Sequence, residues 1–138
     1  MEPYVDGFVI AIKKDKVDAY KKMAELGKKV WMKHGALAYF ECVGDDMHPS
    51  WNMDGIPEEM RESMKGVDFT DLTKSGNDKI PVFSFIIFKS REHRDEVNAK
   101  VMSDPEMDPM QNENLEMPFE MKDMTYGGFK AIVYSELS

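Results

Sequence analysis

The stretch Trp31–Asp46, WMKHGALAYFECVGDD, decides the fold. It reads as the last turn of a helix, a glycine stop and a strand. His34 and Gly35 close the helix, because glycine tolerates the left-handed conformation that a C-cap needs. From Leu37 to Val43 the side chains alternate between two faces, Leu37, Tyr39, Glu41 and Val43 on one and Ala38, Phe40 and Cys42 on the other. A histidine, a tyrosine, a glutamate and the single cysteine fall within nine residues, the densest group of reactive side chains in the chain.

Upstream, Tyr4–Ile12 has apolar residues on both parities and reads as a strand covered on both sides, with Asp6 as the polar exception. Asp15 to His34 then reads as a helix with Asp15 as N-cap. Val17, Tyr20, Ala24, Gly27, Trp31 and His34 recur at spacings of three and four, an amphipathic stripe. Gly27 inside that stripe costs about 1 kcal/mol against alanine. Two accounts explain it: a cavity beside aromatic walls, which is the expectation here, or close docking of helix on sheet.

Downstream, Met47–Lys79 is an irregular insertion with a short helix at Pro57–Lys65 and with His48 and Trp51 at its start. Val82–Phe88, VFSFIIF, is a central strand with Ser84 its one polar member. Ser90 caps a second helix that runs to about Ser103 and stops before Pro105. Pro105–Tyr126 is rich in Met and Pro, and its Met107–Met124 part is expected to cover the sheet or the partner subunit. Gly127-Gly128 is a turn or strand-entry bulge, and Phe129–Tyr134 is the fourth strand.

The order strand, helix, strand, loop, strand, helix, strand is the split βαβ pattern. Right-handed crossovers arrange it as a ferredoxin-like α+β sheet in the order 4-1-3-2, with both helices on one face. The 138 residues form one domain, 1–138, with an insertion at about 47–79. The other sheet face carries large apolar residues that a chain of this length cannot cover. A homodimer through that sheet face is the natural solution, burying at least about 1,600 Å² in total.

Composition removes several function classes. A formal net charge of −8 argues against nucleic acid and anionic membranes as partners. No apolar run approaches the roughly 20 residues that span a bilayer. MEPYVDGFVI lacks the basic region and cleavage site of a signal peptide, so the expected location is cytoplasmic. One cysteine excludes an internal disulfide and a thiolate zinc site. The 13 methionines are scattered, which suits packing better than copper. There is no Ser-His-Asp order, phosphate loop, dinucleotide fingerprint or paired metal histidine.

YVDGFVIAIKKDKVDAYKKMAELGKKVWMKHGALAYFECVGDD, SREHRDEVNAKVMSDPEM and MPFEMKDMTYGGFKAIV resemble, in that order, the YbaA-like family of uncharacterised bacterial proteins. The resemblance covers nearly the whole chain apart from the insertion. It implies a dimeric α+β barrel, a superfamily that includes cofactor-independent monooxygenases, lactone isomerases and haem proteins. It supplies no reaction, since fold alone does not license function.

Candidate chemistry is sparse. His34 is either an acid–base group or a helix-dipole partner. Asp6, Ser84 and Glu41 fall in one row across the sheet if the register allows: either a buried, unpaired carboxylate there has the raised pKa that a general base needs, or the three are hydrogen-bonded interface or edge residues. Tyr20, Trp31, His34, Tyr39, Glu41 and Ser84 are the candidate pocket residues. His34, Tyr39 and Asp6 are the candidate catalytic residues. His93 lies in a charged helical turn, so no stable haem complex is expected, and no cofactor or metal is assigned. Cys42 lacks a basic neighbour and is expected to be inert. Three functions stay open: binding of a small apolar or aromatic molecule between helices and sheet, a cofactor-independent monooxygenase or isomerase, and a non-enzymatic interaction protein.

Overall fold

The computed structural model describes residues 2–48, 54–108 and 117–136. Strands β1 (Tyr4–Lys13), β2 (Ala38–Val43), β3 (Lys79–Phe88) and β4 (Met124–Lys130) form one antiparallel sheet in the order β2-β3-β1-β4. Helices α1 (Val17–Lys33) and α4 (Arg91–Met102) are the two long helices. The short α2 (Glu58–Ser63) and α3 (Phe69–Leu72) lie in the insertion. The fold is α+β and ferredoxin-like. No helix among the described residues is long and apolar enough to cross a membrane.

Local signals explain most boundaries. Gly35 takes φ +111°, and the Ala36 N–H reaches back to the Trp31 carbonyl at 3.1 Å, which closes α1. Ser90 caps α4 by accepting from the His93 N–H. Three expectations need correction. Asp15 does not cap α1: Lys14–Lys16 is a 3₁₀ turn held by the Lys14 N–H on the Asp78 carbonyl, and the helix starts at Val17. The third strand starts at Lys79, three residues early, because it pairs with the full length of β1. The fourth strand is Met124–Lys130, so Gly127-Gly128 lies inside it rather than before it. A methyl group on Gly128 would collide with the Tyr4 hydroxyl. Gly128 therefore admits an aromatic ring from the neighbouring strand, and the pair sits within a strand rather than at a turn.

Register separates the two faces. Tyr4, Asp6, Phe8, Ile10 and Ile12 of β1 turn to the helices with Val82, Ser84, Ile86 and Phe88 of β3. Two apolar clusters fill this layer, one around Val30, Phe88 and Val97 and one around Ile10, Tyr20 and Val82. Phe119 and Met124 close the second, and Tyr20 and Phe119 meet edge to face at 6.0 Å. That end of the Met-rich segment covers core. Its Met110 and Leu115 lie outside the described residues.

The opposite face carries Phe40, Cys42, Phe83, Phe85 and Phe129. Phe40 and Phe85 stack at 4.8 Å, and Phe40, Phe83 and Phe129 are exposed. The insertion covers only a corner, where Phe69 meets Phe83 edge-on at 6.3 Å.

Candidate functional site

At the β2 edge, α1 stands away from the sheet and leaves a cleft of about 450 Å³. Val17, Tyr20 and Ala24 form its helix wall, and Tyr39, Glu41 and Val82 form its floor. Helical spacing puts Tyr20 and Ala24 on one stripe, and strand alternation puts Tyr39 and Glu41 on one face. Two phenols converge on one carboxylate. Tyr20 donates to Glu41 Oε2 through a very short hydrogen bond, and Tyr39 donates to Oε1 at 2.8 Å. Ser84, directly across from Glu41 in the ladder and fully buried, is a further hydrogen-bond partner of the carboxylate.

The electrostatics follow from the absence of a cation in this cluster. Burial raises the pKa of Glu41, and the Tyr20, Tyr39 and Ser84 hydroxyls offset only part of that rise. Hydrogen bonds to a charged group contribute about 1.5–3 kcal/mol each, whereas removing a carboxylate from water costs several kcal/mol. Burial, reinforced by the neighbouring carboxylate, pushes both phenols well above their ordinary range, so they remain donors at any physiological pH.

The other sequence candidates lie elsewhere. His34 is outside the cleft: its Nε2 is 2.6 Å from Asp104 Oδ2, beyond the far end of α1. Asp104 also accepts from Lys33 Nζ at 2.8 Å and from the Glu106 N–H at 2.9 Å. Lys33, that backbone N–H and His34 together hold its carboxyl far below the usual range. Asp6 misses the row by one pair, because Phe8 faces Ser84 while Asp6 faces Ile86. Its carboxylate is bound by Arg94 at 2.7 Å. Trp31 turns away from Glu41 and donates to Asn98 Oδ1 at 3.0 Å. The candidate catalytic residues His34, Tyr39 and Asp6 thus occupy three separate networks.

Gly27 does not open a cavity. A methyl group there would sit 2.6 Å from the Tyr39 hydroxyl, so the missing side chain is what lets that hydroxyl fit beneath the helix. The cleft begins beyond Tyr39, on the Tyr20 side. His93 accepts the Lys89 N–H on Nδ1 at 3.0 Å and lies edge-on to Phe88. His48 pairs with Asp68 at 2.9 Å, and Trp51 lies outside the described residues. Cys42 is exposed on the face opposite the helices. Among the described residues no three His, Cys, Asp or Glu side chains gather as a metal site. Sequence reading missed Arg94 and Asn98 as partners of Asp6 and Trp31. Both lie beside the buried stripe of α4, which is the signal that was available.

A family model of proteins of unknown function (DUF1428) matches residues 3–121. The chain belongs to this family. The Uncharacterized protein YbaA of Escherichia coli K12 is 39% identical over 130 residues, covering 94% of this chain and 97% of that protein. The YbaA protein of Shigella flexneri matches with the same identity and coverage. A crystal structure of a dimeric ferredoxin-like protein from an uncultured marine organism aligns with 99% of this chain and 100% of its own, at TM-score 0.48 and 12% identity. Membership extends across β1–β3 and both long helices, so Tyr20, Tyr39, Glu41 and Ser84 all lie in the matched region.

Proposed function

We propose that the protein is a homodimer that binds a small, mostly apolar or aromatic molecule in the cleft between α1 and β2. One polar group of the ligand would be held on the Tyr20–Glu41–Tyr39 cluster. The observation that carries this reading is the convergence of two phenols on one part-buried carboxylate, at the floor of a cleft otherwise walled by apolar side chains. Small-molecule sites combine apolar walls with a few placed polar groups in this way. A ligand hydroxyl or amide N–H that donates to the carboxylate gains a charge-assisted hydrogen bond. Lys21, Glu25 and Lys28 at the rim add charges of both signs, which favours no strongly charged ligand.

The dimer rests on the open aromatic face. Phe40, Phe83, Phe85 and Phe129 form a surface that a second copy would cover. Sedimentation should give a dimer at micromolar protein, and Phe40→Glu, at an exposed position on the β2 side of that face, should give a folded monomer. A wild-type monomer would sink the assembly. For the cleft, cyclohexanol is a suitable probe: it should shift the Tyr39, Glu41 and Cys42 amide resonances saturably, and Glu41→Leu should abolish this. Shifts that persist in Glu41→Leu would reject the site.

Proton-transfer chemistry, as in an isomerase, is the second reading. The raised pKa of Glu41 favours it, since a base must be poised near working pH. It keeps Tyr39 from the sequence candidates and puts Glu41 in place of His34 and Asp6. Deuterium exchange at the α-carbon of a bound ketone, lost in Glu41→Gln, is the outcome it requires.

A further inference from the structure

A second cleft, of about 400 Å³, lies over the β1–β4 half of the sheet. Trp31 of α1 and Asn98 and Met102 of α4 form its helix side, and Phe8, Ile86 and Tyr126 its sheet side. We propose that this cleft is a binding site for a neutral, planar aromatic molecule bearing a carbonyl or phenolic oxygen. It shares no lining residue with the α1–β2 cleft, so either reading can fail alone.

The walls set the shape. Trp31, Phe8 and Tyr126 present three aromatic surfaces, and the volume falls near the small end of ligand pockets, about 300–1,000 Å³. The Gly127-Gly128 backbone lines the β4 side, with the Tyr4 ring seated on Gly128.

The polar groups set the chemistry. Asn98 spends Oδ1 on the Trp31 indole N–H at 3.0 Å. Its amide N–H groups have no partner among the described residues, and neither does the Tyr126 hydroxyl. Asn98 therefore offers donors, which call for an acceptor oxygen on the ligand. Arg94 also lines the cleft, but its charge is already faced by Asp6 at 2.7 Å and Asp95 at 2.8 Å. A ligand carboxylate would meet one guanidinium held between two carboxylates, on a protein of net charge −8. That balance favours a neutral ligand over an anion. Arg94 is further fixed by the Tyr4 ring, 4.9 Å from its guanidinium carbon, and Tyr4 in turn rests on Gly128. The donor side of the cleft is thus held in place before any ligand arrives.

The chain has two tryptophans, so the Trp31 indole resonance is assigned with a Trp51→Phe variant. ¹⁵N-labelled protein is titrated with 2-naphthol and, in parallel, with 2-naphthoate. The expected result is a saturable shift of the Trp31 indole N–H by 2-naphthol, with 2-naphthoate at least about tenfold weaker. Asn98→Leu should weaken 2-naphthol about tenfold, the equivalent of one hydrogen bond. Tyr126→Ala, at an exposed position that leaves the core intact, should also weaken it several-fold. Tyr39→Phe in the other cleft should leave it within about twofold. An unmoved Trp31 signal, naphthoate binding as tight as naphthol, or unchanged affinity in Tyr126→Ala would each overturn the proposal.

Discussion

Two carboxylates flank α1, and they are held in opposite ways. Glu41, beside the first half of the helix, is gripped by neutral hydroxyls and faces a cleft. Asp104, beyond the last turn, is gripped by Lys33, His34 and a backbone N–H and is almost fully buried. Burial wins at Glu41, so its pKa rises. The cation and hydrogen bonds win at Asp104, so its pKa falls. Asp104 fastens the end of α1 to the end of α4. Glu41 lies beside open space, and no cation in its cluster offsets the cost of burying its charged form. A perturbed pKa points to function only when a satisfied ion pair does not account for it.

The largest expected effect is at the residue that seats Tyr39 against the helix. Gly27→Leu drives a side chain into the Tyr39 hydroxyl and should cost about 1–3 kcal/mol by overpacking, read as a drop in the urea midpoint. Wild-type stability would mean that Tyr39 swings out freely and that the Glu41 cluster is not preorganised.

Next come the two pH limbs, which should slope in opposite directions. The folded pKa of Asp104 is depressed, so its stabilisation is present above its ordinary value of 3.8 and is lost as pH falls below it. Asp104→Asn should remove that acid-side loss and lower stability near neutrality. The folded pKa of Glu41 is raised, so the folded state binds the extra proton. Its stabilisation is present below its ordinary value of 4.5 and is lost as pH rises through the folded pKa. Glu41→Gln should flatten stability from about pH 4.5 to neutrality without weakening the fold at pH 7. Thermal melts from pH 3 to 8 on both variants separate the limbs, and equal slopes would refute the contrast.

Legibility in the sequence divides along the same line. Element order, the Gly35 stop, the Ser90 cap and the shared face of Tyr39 and Glu41 follow from spacing and local backbone preference. The row of Asp6, Ser84 and Glu41 does not, because strand alternation gives parity but not register. β3 starts at Lys79, and the resulting pairing puts Phe8 opposite Ser84. His34 and Asp104 are 70 residues apart, so no local pattern announces their pair. Gly27 as space and Gly127-Gly128 as a turn or bulge fail for one reason: the rings that meet Gly27 and Gly128, Tyr39 and Tyr4, come from elements distant in sequence or on another strand.

The smallest effect is the most discriminating. Tyr39→Phe removes one donor from Glu41 and should cost about 0.5–1.5 kcal/mol, the net value of a hydrogen bond. It should also raise the Glu41 pKa further, because the Tyr39 hydrogen bond is one of the contacts that lower it. The same hydroxyl is the atom that forbids a methyl group at Gly27, at 2.6 Å, while the ring carbon behind it stands at 3.4 Å. Gly27→Ala alone should therefore destabilise, despite the gain of about 1 kcal/mol that alanine brings to a helix interior. On the Tyr39→Phe background the obstruction is gone, and the same substitution should become neutral or stabilising. The two changes must then be non-additive, as residues in contact are. If a double-mutant cycle by urea unfolding returned simple additivity, the Tyr39 hydroxyl would not be pinned under Gly27, and the geometry of the Glu41 cluster would lose its support.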